Sequence, residues 1–233
     1  MSSHKRFVSF SGVDGAGKST QIAALRSWVE AQGLRVKTIT FWDNIACLTQ
    51  VREGAGHKIF KGEKGVGSPE APVNRRDKNV QSWPMTCVRF GLYTLDAFST
   101  RRNVKRALAG DADFIIFDRY IYDQFANLKL RSPFVRAWVK MLMKIVPRPD
   151  ISYVLDADPK AARARKPEYP LDFIYINRRA YLDLADILGG LTIISPGPVQ
   201  QMQADVLRHA FRAMGFQETA KPGEPEVTLQ RAS

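Results

Sequence analysis

Between residues 12 and 20 the chain reads Gly12-Val13-Asp14-Gly15-Ala16-Gly17-Lys18-Ser19-Thr20, which fits the pattern G-x-x-x-x-G-K-[ST] at every fixed position. Glycines so placed let successive backbone N–H groups turn inward around polyphosphate oxygens, and a helix starting behind them turns its positive end to the same anion. Lys18 adds a mobile charge, and the Ser19 hydroxyl, with Thr20 beside it, can ligate a Mg²⁺ that bridges outer phosphates. This loop predicts a site for a magnesium nucleotide. Two further sets could join it: Asp118-Arg119-Tyr120, and the basic run Arg163, Arg165 and Lys166.

The flanking elements suit these roles. Phe7-Val8-Ser9-Phe10 is a β-prone run before the loop; after it Ile22, Leu25 and Val29 fall at helical spacing, with Gly33 as a stop. Leu34–Phe41 alternates as a second strand. Pro84 opens a helix to Gly110 in which Val88, Leu92, Leu95, Val104 and Leu108 are expected to share a buried side. Phe114-Ile115-Ile116-Phe117 is a continuous apolar run, as in a strand buried on both faces. Asp118 and Arg119 directly after it stand at a strand's carboxyl end, where parallel α/β sheets carry their chemistry. Ser132-Pro133 caps a helix whose Trp138, Met141, Leu142 and Ile145 read as core; Ile151–Leu155 is a fourth strand. A helix over about 172–188 ends at Gly189-Gly190, Leu191–Ile194 is a fifth strand, and a last helix follows Pro198. The expected fold is α/β: a five-stranded parallel sheet flanked by helices on both faces.

At 233 residues and 45% hydrophobic content the chain suits one buried core. One domain is expected over 1–216, with a short lid at about 160–172, a long mobile loop at about 53–82 and a disordered tail over 217–233. Cys47 and Cys87 offer neither metal-ligand spacing nor a disulfide framework, and His4, His57 and His209 are isolated. With no membrane-length apolar run and no secretory h-region, a cytoplasmic protein is expected. The net charge is +12, and residues 131–179 carry eleven Lys and Arg against five Asp and Glu, a net of +6. Such charge suits nucleic acid or small phosphorylated substrates. Nucleic acid is disfavoured, because no recognition helix or interleaved aromatics accompany it.

Three separated segments resemble one family. Phe7 to Gln21, Asp118-Arg119-Tyr120, and the stretch from Leu155-Asp156-Ala157-Asp158-Pro159 through Asn177-Arg178-Arg179-Ala180-Tyr181 are similar to the opening loop, Asp-Arg-aromatic motif, lid and following helix of thymidylate kinases. The resemblance implies a P-loop kinase fold and transfer of the ATP γ-phosphate to a nucleoside monophosphate, with dTMP going to dTDP. It implies that Lys18 and Mg²⁺ serve the donor, that Arg119 takes the acceptor phosphate, and that Arg163, Arg165 or Lys166 closes from the lid. Some relatives carry an arginine in the phosphate loop; Gly15 and Ala16 here leave that charge to the lid. Asp118 has two readings, holding a magnesium-bound water or orienting Arg119, and Asp14 either contacts a sugar hydroxyl or caps its turn.

The acceptor side is expected to draw on Asp14, Trp42, Arg89, Tyr93, Asp96, Arg119 and Tyr120. In the segment Arg89 to Phe98 the arginine typical of the family falls at Asp96 or Phe98. An Asp96 facing the base would favour an amino-bearing one, as in CMP or dCMP. The alternative is a helix-surface Asp96, with thymine read by Arg89 and Tyr93. Two other functions use the same features: a nucleoside kinase with Asp43 or Asp118 as base, and a nucleotide-gated nucleic-acid module. Oligomeric state is left open, a homodimer among the options.

Overall fold

A computed structural model describes residues 5–46, 83–167, 169–214, 216–218 and 229–231. The long loop expected at 53–82 lies outside the described residues. In chain order the elements are β1 (Arg6–Gly12), α1 (Lys18–Ala31), β2 (Val36–Thr40), α2 (Phe41–Asn44), α3 (Trp83–Ala109), β3 (Phe114–Asp118), α4 (Ile121–Phe125) and α5 (Pro133–Leu142). There follow β4 (Ile151–Leu155), α6 (Pro159–Arg165), α7 (Leu171–Leu188), β5 (Leu191–Ile194), α8 (Val199–Met214), β6 (Phe216–Glu218) and β7 (Leu229–Arg231).

The first five strands form one parallel sheet in the order β2-β3-β1-β4-β5. β1 is central, so its residues alternate between two buried faces. On one face Val8 and Phe10 pack with Leu25 and Val29 of α1 and with Met202 and Val206 of α8. On the other, Phe7, Ile115 and Phe117 pack with Tyr93 and Val104 of α3, Phe125 of α4 and Val139 of α5. This is the α/β fold that the alternation of strands and helices predicts. Among the described residues no helix is long and apolar enough to cross a membrane.

Three local expectations need correction. The buried stripe of α3 is Arg89, Tyr93, Asp96, Ala97, Thr100, Val104 and Ala107, whereas Val88 and Leu95 are about half exposed. Apolar residues lie on more than one side of this helix, and the side turned inward carries polar groups that find partners: Arg89 donates to the Asn127 carbonyl and Thr100 to the Asp96 carbonyl. Met141 of α5 is likewise half exposed, while Val139 and Leu142 are buried. Within the expected tail, Gln217 and Glu218 pair antiparallel with Gln230 and Leu229, because backbone pairing satisfies these polar segments without a hydrophobic pattern.

Candidate active site

The phosphate loop joins β1 to α1. Gly17 caps α1 in the left-handed region, φ 88°, and a Cβ there would meet nothing within 4 Å. The approach to the first turn of α1 is therefore open, and the exposed Ser19 and Thr20 stand in that turn. Lys18 is buried, its Nζ donating to the carbonyls of Gly12 at 2.8 Å and Val13 at 2.9 Å, with Asp14 at 4.0 Å. Burial, and next the Arg119 charge, lower its pKa to about 8.

β3 runs beside β1 and delivers Asp118 and Arg119 next to the loop. Among the described residues Arg119 is the one non-glycine with a left-handed backbone, φ 69°. That conformation costs on the order of 1–3 kcal/mol and persists only where the surroundings enforce it. Here the Arg119 N–H donates to the Phe10 carbonyl at 2.9 Å, Nη1 donates to Asp123 at 2.9 Å, and Nη2 donates to Asp14. Burial opposes the guanidinium's charge, but Asp123 and Asp14 outweigh it and hold its pKa above the ordinary value. Burial pushes the Asp118 carboxyl up, against the opposing pull of Arg119 and Lys18.

A cleft opens at the carboxyl ends of these strands. Gly12, Val13 and Asp14 form one side, Trp42 after β2 another, Arg119, Asp123 and Asn127 the floor after β3, and Tyr169, Phe173, Ile174, Asn177 and Tyr181 the wall toward the lid. Phe173, Asn177 and Tyr181 are four residues apart along α7 and so share one face. That regular spacing was legible in the sequence, as was the i,i+4 step from Arg119 to Asp123, yet neither was singled out there as part of a site.

Several expected acceptor residues stand elsewhere. Tyr120 is fully buried and donates its hydroxyl to the Pro147 carbonyl at 2.6 Å, which makes it a core residue bracing the turn after β3. Arg89, Tyr93 and Asp96 are buried in the inward stripe of α3 and are not among the residues lining the cleft. Asp96 is fully buried, so it is neither a helix-surface residue nor a wall of this cleft. Trp42, Asp14 and Arg119 do line it.

The segment expected to serve as a lid opens with α6, which Asp158 caps by accepting from the Ala161 N–H at 2.8 Å, with Pro159 at the first helical position. Arg163 is half-buried and Arg165 exposed, its Nε donating to Ala161 at 3.2 Å; the Lys166 charge bears on Asp118. Asp156 ties the start of this segment to α7, accepting from Arg178 Nε at 2.6 Å, Arg178 Nη2 at 2.7 Å and the Ala157 N–H at 2.8 Å.

No family model matches the chain. It is 25% identical over 209 residues to "Probable thymidylate kinase" of Methanosphaera stadtmanae, covering 87% of this chain and 95% of that protein. Over 208 residues it is 28% identical to the protein of the same name from Methanothermobacter thermautotrophicus, covering 87% and 92%. To "Thymidylate kinase" of Bifidobacterium longum it is 28% identical over 195 residues, covering 77% and 83%. Over most of its length the chain is similar to thymidylate kinases of archaea and bacteria. The chain combines its phosphate loop and the Asp118-Arg119-Tyr120 segment with a glycine, Gly15, that faces the backbone of Ala162.

Proposed function

We propose that this chain transfers the γ-phosphoryl group of ATP to dTMP, giving dTDP and ADP. One observation carries the proposal: Arg119, which follows β3, reaches Asp14 of the phosphate loop, so the Arg119 and Lys18 charges converge beside that loop. The names of relatives spanning most of the chain support dTMP as acceptor.

In the transfer, an oxygen of the acceptor phosphate forms a bond to the γ-phosphorus while the bond to the β–γ bridging oxygen breaks, its electron pair leaving with ADP. The acceptor is already an oxyanion, so no side chain need remove a proton. The protein's work is to hold two anions in line and to neutralise charge on the equatorial oxygens. Lys18 and the N–H groups at the start of α1 serve the donor, Arg119 the acceptor phosphate, and Arg163, Arg165 or Lys166 approach from the lid. Trp42 and Phe173 offer aromatic surface to the base, and Asp14 a carboxylate to the sugar.

Mg²⁺ fits the residues present. The Ser19 hydroxyl and the Asp118 carboxylate are oxygen donors of the kind a hard cation takes. Among the described residues no group of three or more His, Cys, Asp or Glu could hold a metal unaided, so phosphate oxygens would supply most of the ligands. When bound, the ion neutralises phosphate charge. The test is ADP release with ATP and Mg²⁺ across dTMP, dCMP, CMP and unphosphorylated nucleosides. Selective turnover of dTMP is expected, and turnover of nucleosides alone would overturn the proposal.

A further inference from the structure

Asp123 is a cleft carboxylate with four hydrogen-bond donors around it. It is buried, and it accepts from Ser11 Oγ at 2.6 Å, Tyr181 OH at 2.8 Å, Arg119 Nη1 at 2.9 Å and the Tyr120 N–H at 3.3 Å. These donors come from three places: the end of β1, the turn between β3 and α4, and the face of α7 that lines the cleft. Oδ1 takes both Arg119 and Tyr181, so the guanidinium and the helix following the lid share one acceptor atom.

We propose that Asp123 is a positioning residue for phosphoryl transfer. Its carboxylate fixes the Arg119 guanidinium at the cleft and, through Tyr181, ties that posture to α7. The inference rests on the kinase reading above. Arg119 has a strained backbone and two carboxylate partners, and Asp14 belongs to the phosphate loop, where bound phosphates compete for the same guanidinium. Asp123 is set deeper, with 3% of its side chain exposed against 19% for Asp14, so it is the anchor that persists when the acceptor phosphate engages Arg119. Charge alone predicts the opposite sign from positioning. If Asp123 merely weakened the local positive field, its removal would tighten acceptor binding; if it holds Arg119 in place, removal loosens it.

The test is steady-state kinetics of Asp123→Asn, which keeps the shape but not the charge, and of Tyr181→Phe, which removes one donor and leaves the carboxylate. Asp123→Asn is expected to raise the KM for the acceptor by about ten-fold or more, the scale of a hydrogen bond to a charged group, while the KM for ATP stays within about two-fold. Tyr181→Phe should show the same split at a smaller size. In an Arg119→Ala background Asp123→Asn should add nothing. An unchanged or lowered acceptor KM, equal rises for both substrates, or a full effect without Arg119 would each overturn the inference. If wild-type protein phosphorylated no monophosphate, the kinase reading would fail by itself. Asp123 is then read from thermal stabilisation by inorganic phosphate in a Lys18→Ala background: Asp123→Asn must weaken it, and unchanged stabilisation overturns the inference.

Discussion

A Cβ built on Gly15 of the phosphate loop would stand 2.4 Å from the carbonyl oxygen of Ala162 in the lid helix, and the φ of +83° at Gly15 is one that L side chains rarely adopt. Loop and lid therefore meet backbone to backbone. A side chain at this position has to push α6 away, and the arginine that the family resemblance associates with the loop has no room here while the lid is in place.

The first prediction follows from that contact. Gly15→Ala and Gly15→Arg should both slow turnover by about ten-fold or more, because a displaced lid carries its cations out of position and small misplacements are costly in phosphoryl transfer. Gly15→Arg should gain nothing from its added charge. Initial-rate measurements on both variants check this, and a faster Gly15→Arg enzyme would contradict it.

Lys18 makes binding sensitive to pH. Its pKa in the folded protein is lowered from 10.5 to about 8, so between these values the unfolded chain keeps a proton that the folded protein has released, and folding stability rises with pH across the window. Below about 8 the cost of burying the charge is present in full. Bound phosphate favours the charged form, so ATP binding above about pH 8 takes up a proton and weakens by up to about ten-fold per pH unit. Calorimetric titrations at about pH 7 and about pH 9 should show this fall, and Lys18→Met should remove the part that belongs to the lysine.

Acceptor recognition should follow the cleft rather than α3. Phe173→Ala is expected to raise the acceptor KM about ten-fold with little change in the ATP KM, as removal of aromatic surface against a base does. Asp96→Asn should lower the melting temperature and leave the preference among monophosphates unchanged, since Asp96 is buried in the helix stripe. A switch in base preference on Asp96→Asn would restore a direct role for that residue.

The contrast between these residues shows what the sequence could convey. The phosphate loop, the strand ending in Asp118 and the presence of five parallel strands rest on local patterns, and each was legible, whereas the strand order is set by the fold. Asp123 sits on a five-residue helix too short to show periodicity, and its partners Ser11 and Tyr181 are 112 and 58 positions away, so only the fold brings them together. Asp96 was misplaced for a different reason: with apolar residues around much of α3, periodicity did not select the inward side.

The Asp156–Arg178 pair should report on the lid. Asp156 is 9% exposed, and Arg178→Gln leaves its carboxylate with the Ala157 N–H but without its bidentate partner, at a cost of roughly 1–3 kcal/mol. The expected outcome is a melting temperature lower by several degrees and a reduced kcat, with dTMP affinity nearly unchanged. Thermal denaturation alongside saturation kinetics distinguishes this from a loss of acceptor binding.

The central claim is that Lys18 and Arg119 act on two phosphates in one cleft, and the most direct measurement is ADP release with ATP, Mg²⁺ and dTMP by wild-type, Lys18→Ala and Arg119→Ala proteins. Wild-type protein should turn over dTMP in preference to the other monophosphates, and each variant should lose about 10²–10³ in rate, the loss seen when one preorganised charge-stabilising donor is removed. Equal rates in all three proteins, or no dTMP-dependent ADP release by wild type, would contradict the account.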